Sequence, residues 1–133
     1  MKHYNVVAAI LREGDKYLCL QRGPSKFDYT SYKYEFPGGK IELGETKAQA
    51  LMRELREEME LEVAIADEHY FTTVEHAYPD FSITLHFFVV PVANPKFVLK
   101  EHKSAVWLRK DELHKLDWAA ADEVVVRRIE RLA

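Results

Sequence analysis

The sequence has little cysteine, no long hydrophobic stretch and no excess of positive charge. Cys19 is the only cysteine among 133 residues, so no disulfide can form within the chain, which is typical of a protein from a reducing compartment. No apolar run approaches the roughly 18 residues needed to span a bilayer, and no cationic start followed by an apolar segment marks a secretory leader. We therefore expect a cytoplasmic protein with no membrane partner.

The charge balance is slightly acidic, with 19 Lys and Arg against 22 Asp and Glu and a net charge of -3. A protein that grips polymeric nucleic acid through its phosphates usually carries a basic excess, so such a partner is not expected. The sequence also lacks internal repeats, low-complexity tracts and linkers. A chain of this length suits a single core, and we predict one domain spanning residues 1–133.

Runs of β-branched and aromatic residues predict strands on both sides of a central helix. The predicted strands span residues 4–11, 16–21, 33–36, 62–65, 69–77, 82–92 and 105–108. Gly14-Asp15 is a hairpin signal, Pro79-Asp80 marks a turn, and the polar segment 23–32 is predicted to be a loop that can border a ligand. Two helices are predicted at residues 110–114 and 120–132. Strands and helices do not alternate regularly, which favours a mixed α/β (α+β) sheet with helices on its faces.

The central helix is predicted to begin after Thr46, an N-cap residue whose capping box is completed by Gln49. Its periodicity places Glu54, Glu57 and Glu58 on one face, turned away from the core. The same periodicity places five apolar residues on the buried side: Ala48, Leu51, Met52, Leu55 and Met59.

The three carboxylates of this helix predict a binding site for a hard divalent cation. Like charges so close together repel by a few tenths of a kcal/mol per pair, and Arg53 offsets only part of this. Mg²⁺ and Mn²⁺ prefer oxygen ligands and usually hold substrate phosphates at the same time. Acidic runs also occur on solvated helix faces, but such a face requires neither the Pro37-Gly38-Gly39 turn nor Glu45 before the helix.

The residues from Gly39 onward resemble the signature of the Nudix hydrolases. The match comprises Gly39, Glu45, Arg53, Glu54, Leu55, Glu57, Glu58 and Leu61. Glu60 replaces the last glycine of the signature, a position where a left-handed residue is convenient and a non-glycine residue costs about 1 kcal/mol. The resemblance extends over most of the chain, is closest to the MutT-like nucleoside triphosphate pyrophosphohydrolases, and implies the Nudix α/β/α sandwich.

The resemblance also implies roles for the charged residues of the signature. The metal ligands would be the Gly38 carbonyl, Glu54, Glu57, Glu58 and, from a later loop, Glu101. Glu54 would also serve as the general base or orient the attacking water. Arg53 and Glu45 would support the site, Arg53 through a fork-shaped hydrogen bond to a glutamate.

Base recognition is predicted to involve residues from distant parts of the chain. Asp122 matches a position where relatives hydrogen-bond the base; an ionised Asp only accepts, which favours a base edge rich in N–H groups. The presence of Asp122 is explained equally well by the helix dipole, which favours an acidic residue near a helix N-terminus. Arg22 matches an arginine that contacts phosphate or base. Phe36, Tyr78 and Asp80 are further candidates for the nucleotide side, although core and turn roles suit them as well.

The resemblance therefore implies Mg²⁺-dependent hydrolysis of CTP, dCTP or 8-oxo-dGTP to a nucleoside monophosphate and pyrophosphate. Two enzymatic alternatives remain, dinucleoside polyphosphate hydrolysis, which the position of Tyr78 favours, and ADP-ribose hydrolysis. A regulatory nucleotide-binding module is a third alternative. The intact Glu54, Glu57 and Glu58 argue against it, because a module that only binds could lose these carboxylates freely. The expected partner is a small nucleotide, and the protein is expected to be a monomer or a homodimer.

Overall fold

The computed structural model describes residues 2–132, which form a seven-stranded mixed sheet with a long helix on each face. The strands are β1 (Lys2–Glu13), β2 (Lys16–Arg22), β3 (Tyr34–Glu35), β4 (Gly38–Lys40), β5 (Tyr70–Ala77), β6 (Phe81–Pro91) and β7 (His102–Arg109). The long helices are α1 (Lys47–Met59) and α2 (Ala120–Glu130), and 3-10 helices span Asp67–His69 and Lys110–Lys115. The predicted mixed α/β architecture is confirmed.

Strand β1 is the centre of the sheet. It runs parallel to β6 along most of its length and antiparallel to β2 and β4, in the order β3-β2-β1-β6-β5, with β4 paired to β1 and β7 paired to β2. Successive side chains of a strand point to opposite faces. Val7 and Ala9 accordingly pack against α1, whereas Ala8 and Ile10 belong to the core on the α2 side. A single strand therefore connects both layers of the sandwich.

Helix α1 begins as its sequence predicts. Thr46 is the N-cap, its side chain accepts a hydrogen bond from the Gln49 amide, and the Gln49 side chain accepts one from the Thr46 amide. The predicted apolar side is buried, apart from Met52, which is partly exposed. The helix ends at Glu60, which adopts the left-handed conformation with φ of 51°.

Several predicted elements differ from the structure. Residues 62–65 do not form a strand; Leu61 and Ile65 are buried against the α1-side core, so their spacing reflects packing of an extended segment without a sheet partner. The structure has β4 where the glycines indicated a turn, the last strand begins earlier than predicted, at His102, and residues 110–115 form a 3-10 helix. None of the helices within residues 2–132 is long and apolar enough to cross a membrane.

Candidate active site

Arg53 is the centre of an ion-pair network at the start and along one face of α1. Its Nε and Nη2 donate to the two oxygens of Glu45 at 2.7 and 3.0 Å, a bidentate contact. Its Nη1 donates to Glu54 at 2.9 Å and to Glu57 at 3.2 Å, and its Nη2 also donates to the Lys40 carbonyl at 3.0 Å. Hydrogen bonding to Arg53 lowers the pKa of the Glu45 carboxyl. One cation thus ties the helix to the loop before it and to β4.

Glu54 lies against strand β4 at Gly39. A Cβ atom on Gly39 would overlap the Glu54 carboxyl group, so glycine is required for this carboxylate to occupy its position. The Glu54 side chain is only 15% exposed, whereas that of Glu57 is 59% exposed. The two carboxylates therefore share Arg53 but differ in their access to water.

Glu58 is the one carboxylate of the helix that Arg53 does not contact. Its Oε2 atom is buried and has no hydrogen-bond partner. Burial, followed by the charges of Glu54, Glu101 and Glu35, raises the pKa of Glu58 to about 9. Glu58 lies outside the apolar core, as predicted, and lines the cleft described below, but the sequence pattern did not indicate how little of this carboxylate is exposed to water.

Glu101 is brought to Glu58 by the segment that precedes β7. The Val98 amide donates to the Met59 carbonyl at 2.9 Å, and the Lys100 amide donates to the Glu58 carbonyl at 3.1 Å. These bonds use carbonyl groups that are left free at the C-terminus of a helix. They explain how a residue more than 40 positions away reaches the helix glutamates.

The donor set of these carboxylates fits a divalent cation. Within residues 2–132, no three Asp, Glu, His or Cys side chains are already arranged to hold a metal ion by themselves. Mg²⁺ does not need such a cage, because it is usually bound through one or two carboxylates together with waters and substrate phosphates. A cation beside the unpartnered Glu58 oxygen would favour the ionised carboxylate, which burial and the neighbouring carboxylates otherwise disfavour.

An open cleft of about 1240 Å³ lies on the α2 side of the sheet and reaches this carboxylate cluster. Eight of the twelve residues predicted for the site line this cleft. The other four form the ion-pair network around Arg53 and do not line the cleft: Arg53, Glu45, Glu54 and Glu57. The eight are Arg22, Phe36, Gly38, Glu58, Tyr78, Asp80, Glu101 and Asp122. The structure therefore brings predicted metal-side and nucleotide-side residues into one cleft.

Asp122 lies at the opposite side of the cleft, in the first turn of α2, and is 5% exposed. Its Oδ2 accepts a hydrogen bond from the Phe36 amide at 3.0 Å. Burial, and then the charge of Glu35, raises the pKa of Asp122 well above its ordinary value. The assumption that Asp122 is ionised and only accepts is therefore unsupported, because a carboxyl group that keeps its proton also donates.

Aromatic residues pack around Asp122. The Phe36 ring stacks on Trp118 with centroids 4.9 Å apart and is only 3% exposed, so most of the ring is packed in the core. The Tyr78 hydroxyl accepts a hydrogen bond from the Ala121 amide at 3.3 Å. The backbone of β3 is joined to the segment before α2, since the Ala119 amide donates to the Tyr34 carbonyl at 2.9 Å. These contacts fix the Asp122 side of the cleft relative to the sheet.

Glu35 and His102 lie between the two sides of the cleft, and sequence reasoning missed both. The His102 Nε2 is 2.9 Å from one Glu35 oxygen, and Arg22 Nη1 donates to the other at 3.3 Å. The three side chains come from β3, β7 and β2, whose pairing places them together. The sequence offered only an indirect indication of these two residues, namely that each is adjacent to a predicted site residue: Glu35 to Phe36, and His102 to Glu101.

Asp80 is exposed at the rim of the cleft and contacts the loop formed by residues 23–32. The Tyr29 hydroxyl donates to Asp80 at 2.7 Å, and the Tyr29 ring stacks on Tyr78 with centroids 5.5 Å apart. Asp80 thus holds the loop predicted to border a ligand against the turn between β5 and β6.

Comparison with known proteins agrees with this architecture. The family model for the NUDIX domain matches residues 1–129. The chain is 34% identical to the 8-oxo-dGTP diphosphatase of Escherichia coli K12 over 134 residues, covering 99% of this chain and 100% of that protein. It is 36% identical to the CTP pyrophosphohydrolase of the same organism over 122 residues, covering 92% and 87% of the two chains. The solution structure of the E. coli ORF135 protein superposes with a TM-score of 0.81 at 34% identity, covering 100% of this chain and 96% of that one.

Proposed function

The chain belongs to the Nudix hydrolase family, and from this membership we propose that it hydrolyses nucleoside triphosphates to nucleoside monophosphates and pyrophosphate, using Mg²⁺ or Mn²⁺. Two similar proteins bear the names 8-oxo-dGTP diphosphatase and CTP pyrophosphohydrolase, so CTP, dCTP and 8-oxo-dGTP are the substrates to test first. The similarity extends over nearly the whole length of both relatives, which supports an activity that needs only this domain.

The observation that carries the proposal is the buried, unpartnered oxygen of Glu58 at one side of a nucleotide-sized cleft. A stable core rarely leaves such an atom without a partner. Burial and the neighbouring Glu54 and Glu101 disfavour the ionised form of Glu58. A cation that arrives with the substrate phosphates would favour that form and give the oxygen a partner.

We assign the metal side to Glu57, Glu58, Glu101 and the Gly38 carbonyl, with Glu54 nearby. A bound divalent cation would neutralise phosphate oxygens and acidify a water molecule. We infer that Glu54, which Arg53 holds beside Gly39, accepts a proton from the attacking water and orients it. Its low exposure limits competition from bulk solvent.

Arg53 and Glu45 act as positioning residues in this proposal. Arg53 fixes Glu54 and Glu57 from one guanidinium group, and its bidentate bond to Glu45 fixes the guanidinium in turn. Planar bidentate contacts of this kind hold orientation better than a single charge–charge contact does.

The base is proposed to bind near Asp122, with Arg22 and Glu35 close by. The Phe36 amide donates to Oδ2 of Asp122, and the base is proposed to bind the other oxygen of this carboxyl. A protonated carboxyl can donate to a ring nitrogen or a carbonyl oxygen, and an ionised one can accept from an amino group. Glu35 adds a further acceptor, and this combination suits bases that present both donors and acceptors, such as cytosine and oxidised guanine.

The test is a substrate panel with chromatographic product analysis. The protein is incubated with Mg²⁺ and CTP, dCTP, 8-oxo-dGTP or ADP-ribose, and we expect pyrophosphate and a monophosphate from at least one triphosphate. Glu57→Gln should abolish turnover, whereas Glu62→Gln, an exposed carboxylate outside the network, should not. Release of no pyrophosphate from any triphosphate would refute the proposal and favour a regulatory nucleotide-binding module; turnover of ADP-ribose alone would change the substrate class.

A further inference from the structure

Glu101 lies at the point where β7 begins, between two residues that are bonded to other elements. On one side, the Lys100 amide donates to the Glu58 carbonyl at 3.1 Å. On the other side, His102 is the first residue of β7 and lies opposite Arg22 of β2. Glu101 itself is exposed. Its position therefore depends on these neighbours and not on burial of its own side chain.

The pair formed by His102 and Arg22 is separated from the rest of the ladder between β2 and β7 by a bulge. Gln21 lies opposite Ser104, so Lys103 is the extra residue. A bulge leaves one residue unpaired, disrupts the ladder locally and is common beside active sites, where it redirects side chains. Backbone pairing alone therefore holds the start of β7 less firmly than the rest of this strand, and a side-chain bond at this point adds to it.

The His102 side chain supplies such a bond. It is only 5% exposed, and its Nε2 atom lies 2.9 Å from Oε2 of Glu35. A carboxylate only accepts, so Nε2–H is the donor whether the ring is neutral or charged. In the part of the chain that the structure describes, this is the only hydrogen bond of the His102 ring, because its Nδ1 atom is buried without a partner. A buried ring with one unpaired nitrogen is a costly choice for packing alone, which indicates that the bond to Glu35 is what this histidine contributes.

Glu35 is suited to be the fixed end of this bond. Its strand β3 pairs with β2, and the preceding residue, Tyr34, makes two backbone hydrogen bonds with the segment before α2, at 2.8 and 2.9 Å. The following residue, Phe36, donates its amide hydrogen to Asp122. The other Glu35 oxygen accepts a hydrogen bond from Arg22 at 3.3 Å. Both the backbone and the carboxylate of Glu35 are therefore held independently of β7.

We propose that Glu35 and His102 are positioning residues, whose bond fixes the start of β7 so that the Glu101 carboxylate stays within reach of the cation that the α1 glutamates bind. An exposed carboxylate on a loose segment must be ordered when the cation binds, and this ordering costs conformational entropy. A segment that is already fixed avoids part of this cost. Residues that orient metal ligands typically change metal affinity by about 10-fold to 100-fold. The inference rests on the proposed function, because it takes Glu101 as a cation ligand.

Binding of Mn²⁺ in the absence of nucleotide tests this inference, with the Kd measured from the electron paramagnetic resonance signal of free Mn²⁺. His102→Phe keeps an aromatic ring, removes the donor and should raise the Kd about tenfold. A purely electrostatic effect would have the opposite sign, because the substitution leaves the negative Glu35 without its donor and so favours a nearby cation. His102→Gln, whose amide can still donate to Glu35, should bind Mn²⁺ nearly as tightly as the unmodified protein. The control His114→Phe, which changes an exposed histidine outside the cleft, should leave the Kd unchanged.

A double-mutant cycle shows whether His102 acts through Glu101. Glu101→Gln alone should weaken Mn²⁺ binding, and the addition of His102→Phe should then cause little further loss. A substitution that merely destabilises the protein would cause the same further loss in both backgrounds. If circular dichroism shows that His102→Phe does not fold, His102→Leu provides the same comparison with a smaller side chain.

Three results would overturn the inference: an unchanged or lower Kd for His102→Phe, a Kd for His102→Gln as high as that for His102→Phe, and equal losses in the two backgrounds of the cycle. Absence of saturable Mn²⁺ binding to the unmodified protein would overturn it as well. None of these measurements involves turnover. Absence of pyrophosphate release from triphosphates would instead refute the proposed function.

Discussion

Replacing Glu60 by glycine should leave the protein at least as stable as it is, although the substitution removes an ion pair. Glu60 ends α1 in the left-handed conformation, with φ of 51° and ψ of 35°. Its Cβ atom makes this conformation unfavourable by about 1 to 2 kcal/mol. Glycine avoids this strain, but its greater freedom in the unfolded chain lowers the free energy of unfolding by about 0.5 to 1 kcal/mol. Glycine should therefore be about 1 kcal/mol more stable than alanine at this position.

The ion pair that is lost contributes less than this. The Glu60 carboxylate lies 3.2 Å from Lys100 Nζ, with both side chains about half exposed, and such surface pairs are worth about 0 to 1 kcal/mol. Glu60→Ala should be neutral or slightly destabilising, because it loses the pair and keeps the Cβ atom. Glu60→Gly should equal or exceed the unmodified protein.

Urea unfolding followed by circular dichroism would measure the three free energies of unfolding. A difference of about 1 kcal/mol between the glycine and alanine variants corresponds to about 3 to 5 °C in Tm for a chain of this size. The backbone bond from the Glu60 amide to the Arg56 carbonyl, 3.0 Å long, remains in both variants. If the glycine variant were no more stable than the alanine variant, the attribution of strain to the left-handed Glu60 would be wrong.

Three further predictions concern the proposed active site. Arg53→Lys loses the bidentate bond to Glu45 and should lower kcat/KM about tenfold or more. The control Arg56→Lys, on the same helix, should leave kcat/KM unchanged. Equal steady-state rates for the two variants would contradict the positioning role of Arg53. Mg²⁺ at about ten times its Kd should raise the Tm by a few degrees, and Glu58→Gln should remove this shift in a thermal-shift assay; a retained shift would place the metal elsewhere. The raised pKa of Asp122 means that the folded state holds an extra proton, a stabilisation present below about pH 4 and lost as the pH rises through the folded-state pKa. Asp122→Asn should therefore gain stability relative to the unmodified protein as the pH rises above about 4. If urea unfolding gave the same difference in free energy of unfolding between the two proteins at every pH, the pKa of this carboxyl would not be raised.

The features of the fold that depend on nearby residues were predictable from the sequence. The start of α1 follows from Thr46 and Gln49, whose mutual capping bonds are local. The spacing of Glu54 and Glu58 places them on one helix face, and the hairpin between β1 and β2 follows from the turn residues between them. Residues 62–65 show the limit of such patterns, because alternation reports burial and does not report whether a strand has a partner.

The centre of the cleft could not be predicted in the same way. Glu35 and His102 are 67 positions apart and meet only because β3 and β7 both pair with β2. The enclosure of Glu58 also depends on the segment before β7 covering the end of α1. Both features are set by tertiary packing, which overrides the local pattern, and no spacing rule within one element contains this information.

The two glycines of β4 fail in different ways when they are changed. A side chain at Gly38 would overlap the Val7 carbonyl of the neighbouring strand, and a strand backbone cannot move aside without loss of its pairing. The nearest atoms to a Cβ at Gly39 all belong to the Glu54 carboxyl group, the end of a flexible side chain that can be displaced if its bond to Arg53 breaks. In a library of variants, substitutions at Gly38 should therefore yield little folded protein. Substitutions at Gly39 should yield folded protein in which the Glu54 carboxylate is displaced. Two adjacent glycines thus meet different requirements: Gly38 allows the pairing of β4 with β1, and Gly39 leaves the space that the Glu54 carboxylate occupies.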